Sequence, residues 1–213
     1  MIFSGIQKVL ILAPHPDDAE FGLGATLTKL KEQNKEVHVV VFSLCEKSTP
    51  KGFEVGAIEK DMYESLSFLN FTKDQIHVLD YPVREFPRMR QEILEDMIVL
   101  KNKLNPDLVF LPSSSDIHQD HKVIHEEGLR AFKYSNLLGY EMPWNNFGFT
   151  SYVYVKLDAA HLKIKTDSLK LYKTQDHRHY SDGKFVESLA RVRGGQIKEE
   201  FAESFELIRL IQY

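Results

Sequence analysis

The chain has 213 residues, of which 43% are hydrophobic and 27% are charged. This composition suits one globular α/β domain over residues 1–213 and excludes a disordered or fibrous chain. The net charge of −4 provides no overall electrostatic attraction for nucleic acid or an anionic membrane. Cys45 is the one cysteine, so an intramolecular disulfide and a cysteine-rich zinc site are both excluded. A reducing cytoplasm is therefore the expected location.

The first apolar run, Val9–Ala13, is followed at once by the polar segment Pro14–Asp18. It is far shorter than the roughly 20 apolar residues that a membrane-spanning helix needs. It also lacks the charged start and the small-residue cleavage site of a signal peptide. We therefore expect a soluble protein without membrane insertion.

Continuous apolar runs alternate with segments of helical periodicity along the first half of the chain. The runs, interpreted as buried parallel strands, are Lys8–Ala13, Glu36–Ser43, Ile76–Asp80 and Asp107–Pro112. The segments between them, interpreted as crossover helices, are Leu23–Gln33, Val55–Leu69 and Phe86–Leu104. The last third is less regular, and its pattern predicts a strand, a helix and a late strand at Tyr152–Asp158, His161–Thr174 and Phe205–Ile211. The predicted fold is a Rossmann-like, mostly parallel sheet flanked by helices, in a single domain.

Two polar clusters contain the residue types that bind divalent metals, and each follows a predicted buried strand. The first is His15–Asp18, with the sequence HPDD, and the second is Asp116–His121, with the sequence DIHQDH. Both fall where this fold class binds ligands, because the carboxyl ends of parallel strands meet at one edge of the sheet. Two histidines and one carboxylate can hold a dication and leave a position free for water.

The spacing within the clusters gives neighbouring side chains different tasks. His15 and Asp18 are three residues apart, so a tight turn into a helix can aim both in one direction. Asp17 then points elsewhere and is available as a base. His118 and His121 are also three residues apart, and they offer one ligand and one nearby imidazole that is not a ligand.

Each cluster also has a purely structural interpretation. Pro16 followed by two aspartates is an ordinary helix start, in which acidic side chains satisfy free amides and the helix dipole. The second cluster alone could be a polar loop that leads into a helix. Because both clusters follow buried strands, we favour a shared site over these two separate explanations.

Three motifs, in order along nearly the whole chain, are similar to those of one enzyme family. They are APHPDDAE at Ala13–Glu20 followed by Gly22 and Gly24, DxHxDH at Asp116–His121, and the C-terminal segments Lys170–Gln175, Arg191–Gly194 and Ala202–Phe205. Together they resemble the LmbE-like (PIG-L-type) zinc-dependent de-N-acetylases. The sequence departs from this pattern at Thr174, at Lys198 and in Val55–Leu69, which lacks the family's usual arginine.

The resemblance implies a role for each residue of the two clusters. The zinc ligands that it implies are His15, Asp18 and His121. Asp17 would be the general base, and His118 would stabilise charge or donate a proton. Asp120 would accept a hydrogen bond from one of the histidines and fix its tautomer. The same ligand types also suit Fe²⁺, which is the alternative metal.

Substrate contacts are expected outside the two clusters. Glu46 follows the second strand and resembles an acidic residue that the family has there. Arg191 and Arg193 could bind a sugar hydroxyl, a substrate anion or an internal carboxylate. The aromatic segment Pro143–Phe147 could stack on a sugar or pack as a loop. Asp176–Tyr180 could border the substrate pocket as a loop after a helix, and a solvated loop is the favoured interpretation.

The expected function is removal of an acetyl group from an N-acetylated amino sugar of the N-acetylglucosamine type, a substrate class implied by the resemblance alone. Zinc would activate a water molecule, which attacks the amide carbonyl while Asp17 accepts its proton. Two alternatives remain: hydration of an unsaturated keto or dicarboxylic acid at the same zinc site, and a non-catalytic domain that binds sugar or metal. The expected partner is a small molecule, and a homo-oligomer is left open.

Overall fold

The computed structural model describes residues 3–178 and 182–211, and one seven-stranded sheet runs through them. Its strands are β1 (Lys8–Ala13), β2 (Glu36–Val41), β3 (Ile76–Val78), β4 (Leu108–Pro112), β5 (Asn136–Tyr140), β6 (Val153–Leu157) and β7 (Phe201–Arg209). Their spatial order is β3-β2-β1-β4-β5-β7-β6. The first five strands of this order run parallel, and β7 is antiparallel to both of its neighbours. The predicted Rossmann-like, mostly parallel sheet is confirmed.

Helices cover both faces of the sheet in the described part of the chain. They are α1 (Asp18–Glu32), α2 (Ala57–Phe68), α3 (Arg90–Leu104), α4 (Gln119–Ala131), α5 (Ala159–Leu169) and α6 (Gly183–Gly195). Side chains of β1 alternate between two apolar layers: Val9 and Ile11 pack on the side of α1 and α5, while Leu10 and Leu12 pack on the side of α3 and α4. None of the described helices is long and apolar enough to cross a membrane.

Helix α1 begins at Asp18, five residues before the segment that the sequence pattern indicated. The helix is kinked at Leu23, where φ is −152° and ψ is 23°, so the periodic segment corresponds to its second half. At the kink, the buried Lys165 Nζ donates to the Phe21 carbonyl at 2.6 Å, and Glu203 Oε2 accepts from the Thr26 N–H at 2.7 Å. Lys165 and Glu203 also form a buried ion pair, with Nζ 2.7 Å from Oε1. The two side chains thus bind backbone groups at the kink and fix the direction of the first helical turn.

Other boundaries differ from the predictions in ways that the sequence explains. The helix predicted at His161–Thr174 ends at Leu169 and is followed by a short 3-10 helix at Lys173–Gln175. The late strand begins at Phe201 rather than Phe205. The sequence analysis missed strand β5, whose five residues include Gly139, and helix α6. A short strand interrupted by glycine carries little of the periodic signal that identifies strands.

The neighbouring strands β1 and β4 determine where the two polar clusters lie. Strand β1 pairs with β4 in parallel, with Ile11 opposite Phe110, so the two strands end side by side. The loops that follow them carry the clusters His15–Asp18 and Asp116–His121. The fold therefore brings together two polar loops that are about a hundred residues apart in sequence.

Candidate metal centre and active site

The loop after β1 turns tightly into α1 and aims two side chains at one point. The Asp18 carboxylate accepts the His15 backbone N–H through Oδ2 at 2.8 Å, and the same oxygen lies 3.3 Å from His15 Nδ1. Asp17 occupies the N-cap position of α1, but its side chain makes no capping hydrogen bond. The capping explanation of this cluster therefore does not account for Asp17, which instead lines the cavity described below.

The loop after β4 presents two imidazoles at the start of α4. His118 is the N-cap residue, and its Nδ1 accepts the Asp120 backbone N–H at 3.2 Å. The neutral His118 ring therefore carries its proton on Nε2. His121 lies one helical turn further along and is buried. Asp116 supports the loop, because its Oδ1 accepts the His118 backbone N–H at 2.9 Å.

Three donor atoms from the two loops form a nearly equilateral triangle. His15 Nδ1 lies 3.2 Å from His121 Nε2, His121 Nε2 lies 3.2 Å from Asp18 Oδ2, and the third side measures 3.3 Å. Ligands of a tetrahedral zinc ion, at about 2.0–2.1 Å from the metal, are separated by about 3.3–3.4 Å. The donor types and their separations thus fit a small dication.

The imidazole of His118 is also near the triangle. Its nitrogen lies within 4.8 Å of those of His15 and His121, so the three histidines form an alternative donor set. Asp18 fits better as the third donor, because it lies 3.2–3.3 Å from both of the other donors and carries a negative charge.

Two carboxylates lie behind the donor histidines. His15 Nε2 is 3.1 Å from Asp120 Oδ2, and His121 Nδ1 is 2.7 Å from Asp116 Oδ2. Each ring can donate its outer N–H to a carboxylate and keep a lone pair for the centre, which is a common arrangement behind metal-binding histidines. The hydrogen bond expected of Asp120 is present. The partnership of Asp116 with His121 was not predicted, although Asp116 opens the second motif.

The buried carboxylates perturb the pKa values of the histidines. Burial lowers the pKa of His121, but the negative charges of Asp18 and Asp116 outweigh this effect and raise it to about 10. Burial and the positive charges of His121 and His15 lower the pKa of His118 to about 4. His118 is therefore a neutral ring at pH 7, with an N–H to donate.

Two acidic side chains near the turn have raised pKa values. Burial and the nearby charge of Asp18 raise the pKa of Asp17 to about 6, although Arg178 and His15 oppose the shift. Glu20 is buried behind the turn, where its Oε1 accepts from the Ser65 hydroxyl at 2.7 Å. Burial raises the pKa of Glu20 to about 8, so this carboxyl is neutral at pH 7.

The donor triangle opens into a cavity of about 230 Å³. The residues that line it include Asp17, His118, Trp144, Arg84 and Arg178. Trp144 packs edge-on against Phe21, with ring centroids 5.0 Å apart. The aromatic segment thus contributes one ring to the cavity, whereas its last residue, Phe147, is 87% exposed.

Sequence analysis did not identify the two arginines in the cavity wall. Arg84 lies in the loop between β3 and α3, where no motif drew attention to it. Arg178 belongs to the stretch for which a solvated loop was favoured and a border of the substrate pocket was the alternative; it is exposed and also lines the cavity, as the alternative had it. The next two residues of that stretch, His179 and Tyr180, lie outside the described residues.

The three residues considered for substrate binding, Glu46, Arg191 and Arg193, are not part of the cavity lining. Glu46 is exposed at the start of a short 3-10 helix and is not part of the cavity lining. Arg193 forms an internal ion pair with Glu141, with Nε 3.0 Å from Oε2, as one of the three options had it. Arg191 is on the exposed side of α6, where its guanidinium pairs with Glu187 at 2.9 Å. The motif that contains the two arginines locates α6 but does not reveal which way their side chains point.

The family model described as "PIG-L: GlcNAc-PI de-N-acetylase" matches residues 10–132, more than half of the chain. The chain belongs to this de-N-acetylase family, which agrees with the resemblance seen in its motifs. The matched region includes both polar clusters and all three atoms of the donor triangle.

Individual proteins are similar to the chain in sequence or in fold. A diacetylchitobiose deacetylase of Thermococcus kodakarensis is 28% identical over 141 residues, which is 63% of this chain and 52% of that protein. The chain thus matches about half the length of this relative. The structure of N,N'-diacetylchitobiose deacetylase from Pyrococcus horikoshii superposes with a TM-score of 0.83 at 21% identity, covering 97% of this chain and 85% of that one.

The same fold also carries a different chemistry. A 4-carboxy-2-hydroxymuconate hydratase from Pseudomonas putida KT2440 superposes with a TM-score of 0.75 at 14% identity, covering 98% of this chain and 99% of that one. At such low identities, likeness between structures defines the fold and leaves the reaction to be argued from the site.

Proposed function

We propose that the protein is a metal-dependent de-N-acetylase that hydrolyses the acetamide of an N-acetylated amino sugar. The observation that carries the proposal is the donor triangle of His15, Asp18 and His121, with Asp17 and His118 lining the same cavity. A metal site, a base and a hydrogen-bond donor are the components that amide hydrolysis needs. Membership of the de-N-acetylase family supports this reaction over others on the same fold.

In this proposal the metal is held by the donor triangle, and zinc is the ion that best fits two imidazoles and one carboxylate. Fe²⁺ is the alternative, because it accepts the same ligand types. A bound dication supplies two effects: it lowers the pKa of water and stabilises negative charge on the carbonyl oxygen. Asp116 and Asp120 act through the histidines as positioning residues, because each fixes the tautomer and orientation of a ligand ring.

Asp17 is the proposed general base. Its half-buried carboxyl faces the cavity and makes no capping hydrogen bond, so it can accept a proton from the attacking water. The same carboxyl can then deliver that proton to the departing amine nitrogen, which gives acetate and a free amine.

His118 is the proposed donor to the carbonyl oxygen. Its Nδ1 is engaged by the Asp120 backbone N–H at 3.2 Å, which leaves Nε2–H as the group available to substrate. Such a donor stabilises the negative charge that develops on oxygen during the attack. The low pKa of the ring favours charge stabilisation over the alternative role of proton donor.

Acetate release tests the proposal directly. The full chain is freed of metal with a chelator, reloaded with Zn²⁺ and assayed against a panel of N-acetylated sugars and conjugates. We expect acetate from the zinc-loaded protein and none from the chelated protein. If the zinc-loaded protein released no acetate but decreased the absorbance of a conjugated keto acid, the hydratase would replace the deacetylase as the proposed function. If it bound sugar without turning over either class, the binding-domain alternative would hold.

A further inference from the structure

The C-terminal motif segment Lys170–Gln175 contains a buried tyrosine that lines the cavity next to the donor triangle. The side chain of Tyr172 is part of the cavity wall, and its hydroxyl donates to the Pro16 carbonyl at 2.5 Å. Pro16 directly precedes Asp17 in the tight turn after β1. Tyr172 therefore holds the backbone next to the proposed base, although it is 156 positions away from Pro16 in sequence.

The direction of the Pro16 carbonyl decides how the backbone enters Asp17. The proline ring fixes φ of Pro16 at about −65°, and the peptide group between Pro16 and Asp17 is planar. The rotation of this peptide group thus depends on one torsion, ψ of Pro16. Because the carbonyl lies in the same plane, the hydrogen bond from Tyr172 sets that rotation. On its other side Asp17 is held by its own carbonyl, which accepts the Phe21 N–H at 3.0 Å.

The Asp17 carboxyl depends on this peptide group for its direction. It makes no capping hydrogen bond with the helix that follows. It does accept a hydrogen bond from its own backbone N–H, which belongs to the same peptide group as the Pro16 carbonyl. A rotation of that peptide group would therefore carry the carboxyl with it. Asp18 differs, because its carboxylate is fixed by the His15 N–H at 2.8 Å.

Two further buried side chains support the Tyr172 hydroxyl. Glu20 Oε1 lies 2.9 Å from it, and the Ser65 hydroxyl contacts the same Glu20 oxygen at 2.7 Å. A tyrosine hydroxyl has a single hydrogen, and the Pro16 carbonyl takes it, because a carbonyl can only accept. The neutral Glu20 carboxyl can supply the hydrogen of its own contact with Tyr172. All four polar groups are then satisfied by one another.

Helix α2 ties this network to the rest of the domain. Ser65 and Asp61 lie four residues apart on α2, and Asp61 Oδ2 accepts both the N–H and the hydroxyl of Thr174 at 2.8 Å. Thr174 follows Tyr172 by two residues, so α2 fixes the segment that carries the tyrosine as well as the acid that supports its hydroxyl. Helix α1, helix α2 and the segment after α5 thus meet at one carbonyl.

We propose that Tyr172 is a positioning residue for the reaction: by holding the Pro16 carbonyl, it directs the Asp17 carboxyl into the cavity beside the donor triangle. Glu20 and Ser65 act through Tyr172. The inference rests on the proposed function, because it takes Asp17 as the general base of amide hydrolysis. Displacement of a catalytic group by about 1 Å can reduce a rate roughly 100-fold, so this network controls turnover without a contact to substrate.

Tyr172→Phe removes the hydroxyl and keeps the ring in the cavity wall. In the zinc-loaded protein we expect kcat for acetate release to fall about 10- to 100-fold, the scale of a displaced catalytic group. KM and zinc affinity should stay close to those of the wild type, because the ring and the donor triangle are unchanged. The kinetics use the sugar of the panel from which the wild type releases acetate fastest. A rise in KM at unchanged kcat would overturn the inference, since the hydroxyl would then serve substrate binding.

Tyr140→Phe is the matched control. Tyr140 is also fully buried, and its hydroxyl donates to a backbone carbonyl, that of Leu12, at 3.0 Å. The two variants lose the same kind of hydrogen bond, but Leu12 lies within β1 and Pro16 lies in the turn beside the base. We expect Tyr140→Phe to keep the kcat of the wild type. Equal losses of kcat in the two variants would overturn the inference, because they would reflect a general loosening of the domain.

A double variant tests whether Tyr172 acts through Asp17. In the Asp17→Asn protein no base is left to position, so adding Tyr172→Phe should hardly lower the residual acetate release further. If the losses of the two single variants multiplied, Tyr172 would act independently of Asp17 and the inference would be wrong. Glu20→Gln, whose amide can donate to the Tyr172 hydroxyl, should retain most of the kcat that Glu20→Ala loses.

Crystal structures of the zinc-loaded variants give a readout that does not depend on turnover. In Tyr172→Phe we expect the Pro16 carbonyl to be rotated and the Asp17 carboxyl to be displaced, with the donor triangle unchanged. In Tyr140→Phe both groups should stay as in the wild type. An Asp17 carboxyl that keeps its place in Tyr172→Phe would overturn the inference. Absence of acetate from the wild type on every sugar of the panel would instead contradict the proposed function, and the structures would still decide whether Tyr172 positions Asp17.

Discussion

Two pairs of histidines in this protein have the same spacing but different surroundings. His15 Nδ1 and His121 Nε2 are 3.2 Å apart at the carboxyl ends of β1 and β4. His38 Nδ1 and His77 Nε2 are also 3.2 Å apart, on the neighbouring strands β2 and β3. Distance alone would make both pairs equally suitable for a metal ion.

The carboxylates distinguish the two pairs. Both rings of the first pair contact Asp18 and have a further carboxylate on their outer nitrogens, and these acids are all buried. In the second pair His38 contacts the exposed Glu36 at 2.9 Å, while burial, His38 and Lys103 together lower the pKa of His77. A third anionic donor and a cavity, rather than a short distance between two imidazoles, therefore define the candidate metal site.

The largest effect is expected for Asp17, the proposed base beside the first histidine pair. Asp17→Asn should lower kcat for acetate release about 10²- to 10⁴-fold, because it removes proton transfer. Its zinc content should stay near that of the wild type, since Asp17 is not part of the donor triangle. Asp74→Asn, an exposed acid near the second pair, is the control and should keep full activity. Wild-type turnover by Asp17→Asn would show that another group is the base.

Removing one histidine from each pair tests whether the first pair binds zinc and the second does not. His121→Ala should weaken zinc binding about 100- to 1000-fold, the scale of one ligand in a protein zinc site. His77→Ala should leave zinc affinity and stoichiometry unchanged. Titration calorimetry on metal-free protein measures both quantities. Equal losses in the two variants would mean that the second pair binds the metal as well.

The carboxylates behind the histidines should have a smaller effect. Asp116→Asn should reduce zinc affinity about 10- to 100-fold, because the amide that replaces the carboxylate fixes the tautomer of His121 less strongly. Glu36→Gln makes the equivalent change behind His38 and should have no effect on zinc binding. Circular dichroism spectra that match the wild type would exclude a general loss of structure. The account fails here if both variants bind zinc as the wild type does.

The smallest effect, counted per pH unit, is expected in the pH dependence of zinc uptake. The raised pKa of His121, about 10, means that the metal-free ring is protonated at pH 7 and must lose this proton to bind zinc. Affinity should therefore increase with pH below 10, by about tenfold per unit for each proton released. Zinc titrations at pH 6, 7 and 8 measure the slope. An affinity that does not change over this range would contradict the coupling between Asp18, Asp116 and His121.

Local motifs and the predicted parallel strands were enough to predict that the two polar clusters meet. The clusters at His15 and His121 follow apolar runs that are recognisable as strands, and parallel strands end at one edge of the sheet. The two arginines of the cavity lining were not predictable in this way. Arg84 and Arg178 come from loops whose course depends on long-range contacts, such as the hydrogen bonds of Thr174 to Asp61.

The partner of Arg193 was left open for a related physical reason. Arg193 lies in a recognisable motif, but the orientation of a helix decides whether a side chain faces the cavity or an internal carboxylate. Helix α6 turns Arg193 towards Glu141, a residue from the loop after β5, and β5 was not predicted. A sequence pattern locates an element more reliably than it locates the partners of its side chains.

Anomalous X-ray scattering at the zinc edge, from crystals of the wild-type protein grown with one equivalent of Zn²⁺, tests the central claim most directly. The account predicts one peak, bonded to His15 Nδ1, Asp18 Oδ2 and His121 Nε2, with the Asp17 carboxyl facing the same cavity. A peak between His38 and His77, or one coordinated by His118 in place of Asp18, would contradict it.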